Sequence, residues 1–436
     1  MDQETDHIRI DPGITDPFSY AGGAPVMNVT SSPPPMHRRQ VLASGLSVGL
    51  GALAGCTGNG DDATDSEPTE DDDQPAAPSG YTTEVVADGL THPWAIAFLP
   101  EEPYLLVTER DADLQLVSSE DGSTQVVSGT PDVFTGGQGG LLDLALHPEY
   151  PESKWVYLTY AIADGDFYTT TALGRGELDR SVPELQNFEV LHEVDPWIQS
   201  NGHFGSRVIV GPDEHLYMTV GDRQEKDFGP DHVSQDTSNE IGTTLRLTLD
   251  GAIPSDNPFL EEERVVDSIY SYGHRNAQGM TVHPETEEIW QTEHGEQDGD
   301  EINVITAGGN YGWPLATYGC TYGGGNQIGE EPDTVDDVVE PVYYWECNSS
   351  GFPPAGATFY DGEAFPDWKG DLFVGTLAEQ YLGHFSVDGH DVEELDPLLS
   401  DHDWRIRDVT VEPGTGYPYI AVDAEDAPIV RIVPDE

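Results

Sequence analysis

Lysine is almost absent from this chain, and basic residues as a whole are scarce. Among 436 residues there are 17 Lys+Arg against 82 Asp+Glu, and the formal net charge is −65. A surface this acidic repels phosphate backbones and anionic membranes, so we exclude nucleic acid and an anionic membrane surface as partners. Acidic charge spread along the whole length resembles that of proteins from salt-loving organisms, whose surroundings screen the self-repulsion.

Cysteine is also rare, with three residues in the whole chain. Cys320 and Cys347 flank an acidic insertion, 321–346, that has few apolar residues to hold it. In an oxidising compartment this pair predicts one disulfide, and two unrelated buried thiols are the alternative.

Long apolar runs are missing except near the N-terminus. The run MHRRQVLASGLSVGLGALAGC begins at Met36, carries Arg38 and Arg39, and ends in LAGC at Cys56. This pattern predicts a twin-arginine export signal with a lipobox-like cleavage site over residues 1–56, and Met36 as a possible true start. We therefore expect lipidation at Cys56 and a location on the outer face of the cytoplasmic membrane. An uncleaved membrane anchor is the alternative.

Two further regions follow the export signal. Residues 57–80 lack apolar periodicity and predict a flexible acidic tether. From residue 81 there is no long segment with helical periodicity. Six hairpin-like units recur instead, at 94–109, 141–160, 207–222, 279–295, 356–377 and 407–423. Six units of about 60 residues predict an all-β six-bladed β-propeller over 81–436, with four-stranded antiparallel blades. A pair of β-sandwiches or a β-helix is the alternative.

The stretch from Ser271 to Pro314 holds the densest group of polar loop residues. Arg275 and Asn276 lie in a glycine-flanked loop. An acidic loop follows, with carboxylates at Glu293, Glu296, Asp298, Asp300 and Glu301. Carboxylates together with glycine carbonyls are the oxygen ligands that Ca²⁺ takes. The residues alone leave open whether this loop binds calcium or is merely solvated.

Other candidate site residues stand out in their local context. Arg405 and Arg407 have the spacing of residues on one face of a strand. Together they suit a ligand with carboxylates, although ion pairing with nearby acids is equally open. His203 lies in the loop NGHFGSR, where a neutral imidazole can act as a general base. Gln138, in the flexible loop GGQGG, carries no signal by itself.

Several of these segments, in this order, resemble one known family. They are GQGGLLDLALHPEY, NGHFGSRVIVGPDEHLYMTVGD, GHRNAQGM, EHGEQDGDEINVITAGGNYGWP and RIRDV. Together they are similar to the soluble aldose sugar dehydrogenases that depend on pyrroloquinoline quinone (PQQ), especially the periplasmic branch. The resemblance covers nearly all of 81–436. It implies a six-bladed propeller, in agreement with the repeat count.

The resemblance also implies roles for particular residues. His203 matches the base that takes the proton from the anomeric hydroxyl, and Asp222 the acid that supports it. Arg275 matches a residue that stabilises charge on the quinone. The implied cofactor contacts are Gln138, His203, Arg275, Asn276, Arg405 and Arg407. The carbonyls of Gly295 and Glu296 match ligands of a Ca²⁺ that polarises PQQ, and Glu301 and Tyr311, with Asp300 nearby, match a second Ca²⁺ site.

The implied reaction is hydride transfer from C1 of an aldose to PQQ, giving a lactone, with reoxidation by an external electron acceptor. Two positions depart from the family pattern. Ala378 stands where the family usually has a lysine that contacts a cofactor carboxylate, and Glu296 stands where it commonly has proline. Two alternatives stay open: a calcium-dependent sugar-lactone hydrolase, which would keep the acidic loop, and a cofactor-free binding propeller at the cell surface, which the missing lysine favours slightly.

Overall fold

Six four-stranded antiparallel sheets make up the described part of the chain. The computed structural model describes residues 80–165 and 168–435. The sheets form the six blades of a β-propeller, which confirms the predicted fold class. The export signal, Cys56 and the tether as far as residue 79 lie outside the described residues, so the predictions about them remain predictions.

Each blade takes its strands from consecutive stretches of chain, except for the last. The strands are, in blade 1, β2 (Pro93–Phe98), β3 (Tyr104–Glu109), β4 (Leu114–Ser118) and β5 (Thr124–Val127); in blade 2, β6 (Leu141–Leu146), β7 (Trp155–Ala163), β8 (Thr169–Asp179) and β9 (Glu184–Glu193); in blade 3, β10 (Val208–Val210), β11 (His215–Val220), β12 (Thr243–Thr248) and β13 (Ile269–Tyr272); in blade 4, β14 (Ala277–Val282), β15 (Ile289–Glu293), β16 (Glu301–Ile305) and β17 (Tyr343–Tyr344); in blade 5, β18 (Pro354–Phe359), β19 (Leu372–Thr376), β20 (Leu382–Asp388) and β21 (Asp391–Glu394); and in blade 6, β22 (Ile406–Val411), β23 (Pro418–Val422), β24 (Ala427–Pro434) and β1 (Tyr81–Leu90).

The six hairpins predicted from the sequence are the two inner strands of the six blades. The second strand of each blade is covered on both faces by neighbouring blades, and it reads as an apolar run for that reason. In β3, for example, Leu105, Leu106 and Val107 are all fully buried. Glycine, proline and acidic residues at the turns separate these runs.

The ring is closed by its first strand. β1 pairs with β24 in antiparallel register from Tyr81↔Pro434 to Leu90↔Ala427. The N-terminal strand thus supplies the outermost position of blade 6 and covers an edge that would otherwise be open. The remaining regular elements in the described residues are three 3₁₀ turns, Val233–Gln235, Pro332–Thr334 and Pro366–Trp368, and none of them is long and apolar enough to span a membrane.

A buried ion cluster joins the inner strands across the centre of the ring. The guanidinium of Arg207 contacts Asp143 at 3.2 Å and Asp408 at 3.0 Å. It also donates to the carbonyl of Gln278 at 2.7 Å and lies over the Trp94 ring. Burial, opposed by Arg207 and reinforced by Asp408, raises the pKa of Asp143 to about 6. One cation therefore holds two buried carboxylates from separate blades.

The predicted disulfide is formed between Cys320 and Cys347, which are 27 residues apart. The backbone of Cys320 pairs in both directions with Gln297 in the acidic loop. In addition, Gly299 donates to the carbonyl of Trp345 at 2.8 Å. The cross-linked insertion is thus attached directly to the acidic loop.

Removing this disulfide should weaken the fold measurably. A Cys320→Ser, Cys347→Ser double variant is expected to lose about 3 kcal/mol of unfolding free energy, because cross-linking restricts the unfolded chain. Denaturant unfolding of the oxidised wild type, the reduced wild type and the double variant measures the loss. Equal stability of all three would contradict the prediction.

Candidate active site

A histidine–aspartate pair lies where blades 2 and 3 meet. His203 precedes β10, and Asp222 follows the end of β11. Their Nδ1 and Oδ1 atoms are 2.6 Å apart, and the other carboxylate oxygen accepts from Nε1 of Trp313 at 2.9 Å. With Nδ1 donating to Asp222, the lone pair of the imidazole lies on Nε2. The arrangement fixes the ring and leaves Nε2 as the proton acceptor.

The surroundings keep His203 neutral and Asp222 ionised. Burial and the nearby cations Arg275 and Lys226 lower the pKa of His203, against the opposing effect of Asp222. Burial alone would raise the pKa of Asp222, but His203 and Arg275 hold it well below its ordinary value. At neutral pH the pair is therefore an imidazole that can accept a proton beside a carboxylate that stabilises the resulting charge.

Two further residues predicted from the sequence lie against this pair. The amide oxygen of Gln138 accepts from the backbone N–H of His203 at 2.7 Å. The side chain of Asn276 is buried, and its amide oxygen accepts from Gly205 at 3.2 Å. Both residues therefore hold the backbone around His203, which has a left-handed conformation with φ of 47°.

Arg275 adds a buried cation to the site. It lies between β13 and β14, with its guanidinium 5.4 Å from the centre of the Trp313 ring. One terminal nitrogen donates to the carbonyl of His294 at 3.2 Å, and the other contacts the carboxylate of Glu296 at 2.6 Å. Its Nε is buried and has no hydrogen-bond partner among the described residues.

The side chain of Glu296 has a position that the sequence did not predict. Sequence reasoning counted its carboxylate only as one of several in the acidic loop and assigned its backbone carbonyl to calcium. In the structure its carboxylate is 6% exposed and is held by Arg275 and by Nζ of Lys226, with both carboxylate oxygens 2.7 Å from the lysine. Glu296 therefore places a negative charge next to Arg275.

Arg405 and Arg407 lie together, as the sequence predicted, and both pair with the same carboxylate of the chain, that of Asp423. Both contact Oδ2 of Asp423, at 3.4 Å and 2.8 Å respectively. Arg407 is buried and also donates to the side chain of Gln278. Arg405 is 40% exposed and donates to the carbonyl of Leu377. The ion-pairing alternative is thus present, and Arg405 is the member of the pair that is open to solvent.

In the acidic loop, Asp300 holds the backbone. One of its oxygens accepts from the N–H of Gly295 at 3.0 Å, and the other accepts from Phe352 at 2.7 Å. Burial raises the pKa of Asp300 to about 6, although both hydrogen bonds lower it. Asp300 therefore positions Gly295, whose carbonyl the sequence predicted as a metal ligand.

A second group of carboxylates is buried on neighbouring strands. Glu293 and Glu301 are directly opposite in the β15–β16 register, and Nδ2 of Asn303 donates to both. Burial and the charge of Glu293 raise the pKa of Glu301 well above its ordinary value. Like charges opposite one another destabilise a sheet unless something neutralises them.

A small cavity beside this carboxylate pair is about the size of one water molecule or ion. This cavity of about 10 Å³ is lined by both glutamates together with Gly295 and Tyr311. The amide oxygen of Asn303 is buried without a partner among the described residues. The Tyr311 hydroxyl donates to the carbonyl of Val304 at 2.6 Å, so its phenol is already engaged. Nowhere in residues 80–165 and 168–435 do three His, Cys, Asp or Glu side chains form a preformed metal cluster.

The family of this chain follows from its similarity to known proteins. A family model described as glucose/sorbosone dehydrogenase matches residues 90–431. The chain belongs to this family. It is 36% identical to the aldose sugar dehydrogenase YliI of Escherichia coli over 359 residues, 82% of this chain and 94% of that protein. It is 31% identical to quinoprotein glucose dehydrogenase B of Acinetobacter calcoaceticus, over 80% of this chain and 86% of that protein.

Solved structures of the same kind share the fold. The soluble aldose sugar dehydrogenase of E. coli in its apo form superposes with a TM-score of 0.76, covering 82% of this chain and all of that one. The PQQ-bound aldose sugar dehydrogenase of Streptomyces coelicolor, 25% identical, gives a TM-score of 0.64 over 82% of this chain and all of that one. Membership of the glucose/sorbosone dehydrogenase family thus supports a sugar-oxidising enzyme.

Sequence reasoning missed several residues of this candidate site. Trp313 was seen only as part of the segment GGNYGWP, yet it orients Asp222. Asp423, which holds both arginines, and Lys226, which reaches Glu296, carried no local pattern. The scarcity of lysine was the one signal that could have drawn attention to Lys226.

Proposed function

We propose that this protein is a PQQ-dependent dehydrogenase that oxidises an aldose at C1 to the lactone. The observation that carries the proposal is the His203–Asp222 pair beside the buried Arg275, in a chain that belongs to a sugar dehydrogenase family. The relative named as a quinoprotein and the PQQ-bound structural neighbour support PQQ as the cofactor.

In the proposed reaction, Nε2 of His203 accepts the proton of the C1 hydroxyl. Asp222 stabilises the imidazolium that forms and keeps the ring oriented, and its own lowered pKa prevents it from taking the proton. PQQ, when bound, supplies an acceptor for the hydride from C1. Arg275 places fixed positive charge in a buried site, where it stabilises negative charge more strongly than it would in water.

The residues present fit an anionic quinone. Nε of Arg275 is buried without a partner among the described residues, and so can donate to a ligand oxygen. Arg405 is partly exposed and adds a second cation. Gln138, Asn276 and Arg407 complete the set that we propose to hold PQQ, directly or through these cations.

The residues also fit calcium, at two places. We propose the carbonyls of Gly295 and Glu296 as ligands of a Ca²⁺ that polarises the cofactor, with Asp300 positioning the loop. For a second, structural Ca²⁺ we propose Glu301 and the backbone of Tyr311. Three features support that second site: two buried carboxylates, an Asn303 oxygen that has no partner among the described residues, and a cavity of about 10 Å³.

Calcium at the second site should make stability depend on Glu301. Ca²⁺ needs ionised carboxylates, so its binding should release protons and strengthen as pH rises through the raised pKa of Glu301. Without calcium, the protonated Glu301 favours the folded state at low pH. This contribution to the unfolding free energy is lost as pH rises through the raised pKa. We expect calcium to raise the Tm of the wild type clearly and that of Glu301→Gln much less, at constant ionic strength. An equal rise in both proteins would count against this site.

Export and anchoring remain part of the proposal. We propose that the twin arginines direct export and that the mature chain begins at a lipid-modified Cys56, on the outer face of the cytoplasmic membrane. There it would pass electrons to an external acceptor. Mass spectrometry of the native N-terminus tests this location, and a peptide that spans 50–60 in the mature protein would contradict it.

The function itself is tested by reconstitution. Apoprotein supplied with PQQ and Ca²⁺ should reduce a dye when aldoses are added, and it should not do so when either is omitted. A panel of aldoses and of sugar lactones in parallel distinguishes the alternatives. Lactone hydrolysis without PQQ would replace the proposal with a hydrolase, and sugar binding without turnover would replace it with a binding propeller.

A further inference from the structure

The carboxylate of Glu296 is held between two cations from separate loops. Lys226 lies on the loop after β11, Arg275 on the loop before β14, and Glu296 on the loop between β15 and β16. Both oxygens of Glu296 lie 2.7 Å from Nζ of Lys226, and one of them lies 2.6 Å from Arg275. Two cations that converge on one carboxylate have the geometry of a carboxylate-binding site.

The two cations of this site differ in burial. The guanidinium of Arg275 is buried and is fixed by the carbonyl of His294 and the ring of Trp313. Lys226 has a side chain that is 48% exposed, and Glu296 lies outside any strand. An incoming anion that pairs with the terminal nitrogen of Arg275 held by Glu296 therefore has to displace Glu296, while Arg275 stays in place.

A lysine next to Glu296 stands out because the chain has so few lysines. The chain contains three lysines. One of them, Lys369, forms an exposed ion pair with Glu363. It is far in the sequence from His203 and Asp222. Lys226 and Arg275 contact the same carboxylate of Glu296, at 2.7 Å and 2.6 Å, so the lysine lies beside the buried cation of the candidate active site. Once Glu296 has left, the partly exposed Lys226 ammonium would be a cation without its Glu296 partner.

We propose that Glu296 is an internal competitor that occupies the anion site of the free enzyme, and that Lys226 is a ligand-binding residue that pairs with a carboxylate of the incoming cofactor once Glu296 is displaced. The inference depends on the proposed function only for the identity of that anion. It predicts that the free enzyme binds anions less tightly than its arginines alone would allow.

Three variants separate the two roles: Glu296→Gln, Lys226→Met and the double variant. Each is titrated with PQQ, followed by the absorbance of the cofactor, and with trimesate, an aromatic tricarboxylate without a quinone, followed by calorimetry. Free calcium and ionic strength are held constant. Glu296→Gln should bind both ligands at least about tenfold more tightly than the wild type, because a charge-assisted bond no longer has to be broken. Adding Lys226→Met to Glu296→Gln should weaken binding about tenfold again.

The control is Lys369→Met, which removes an exposed lysine and should leave both affinities unchanged. Unchanged affinity in Glu296→Gln would overturn the internal competitor. Equal affinity in Glu296→Gln and the double variant would overturn the binding role of Lys226, because a lysine that serves only Glu296 has no effect once Glu296 is neutral. If no protein binds PQQ while trimesate shows the expected pattern, the proposed cofactor falls and the inference stands.

Discussion

Replacing His203 by alanine is expected to lower kcat by about 10²–10⁴-fold, the usual cost of losing a general base. The affinity for PQQ should change little, because the neutral imidazole acts on the sugar proton and the cationic residues hold the cofactor. The wild-type kcat/KM should rise with pH through a pKa below the ordinary histidine value of 6.5, since burial and Arg275 favour the neutral, proton-accepting form. Stopped-flow reduction of bound PQQ by an aldose measures the chemical step directly.

Asp222→Asn provides the matched comparison. It keeps the size of the side chain but removes the charge that stabilises the imidazolium, so kcat should fall while PQQ affinity again persists. His215→Ala serves as the control, because this histidine lies at the start of β11 and pairs with the neighbouring Asp213. A His203→Ala enzyme that turned over at the wild-type rate would refute the assignment of the base.

The second large effect concerns stability at the centre of the ring. Arg207→Met should cost about 3–5 kcal/mol of unfolding free energy, because it leaves the carboxylates of Asp143 and Asp408 buried without their cation. The loss should be smaller at low pH, where Asp143, whose pKa is already raised to about 6, is protonated. Thermal and denaturant unfolding between pH 5 and pH 8 measures both effects.

An exposed ion pair provides the control for Arg207. Arg431 pairs with Glu84 between β24 and β1, where both side chains are partly exposed. Arg431→Met should cost less than about 1 kcal/mol, as is usual for surface pairs. If the two variants lost equal stability, the buried cluster would have no special role in joining the blades.

The inner half of each blade could be predicted from the sequence because burial on both faces gives it an apolar pattern. The outer strands give no such signal. β21 (Asp391–Glu394) is largely exposed and acidic, and β5 (Thr124–Val127) has only its last residue buried. The pairing of β1 with β24 joins the two ends of the domain, and no local pattern encodes a contact at that separation.

Sequence reasoning named candidate site residues where a motif places them close together, and it missed residues whose contacts depend on charge alone. His203, Asp222 and Arg275 stand in segments that resemble a known family. The contact between Lys226 and Glu296 spans 70 residues, and that between Trp313 and Asp222 spans 91. With 82 acidic residues in the chain, the position of any one of them carries little information, so the competition of Glu296 for Arg275 becomes visible only in three dimensions.

The central claim is that this propeller is a PQQ enzyme, and equilibrium binding of PQQ tests it most directly. Purified apoprotein is titrated with PQQ at high salt, with calcium and with a calcium chelator, and the absorbance of the cofactor is recorded. The proposed function predicts saturable binding of one PQQ per chain that is much tighter in calcium and is weakened by Arg275→Ala. Absence of saturable binding in calcium, by a folded wild-type protein, would contradict the claim.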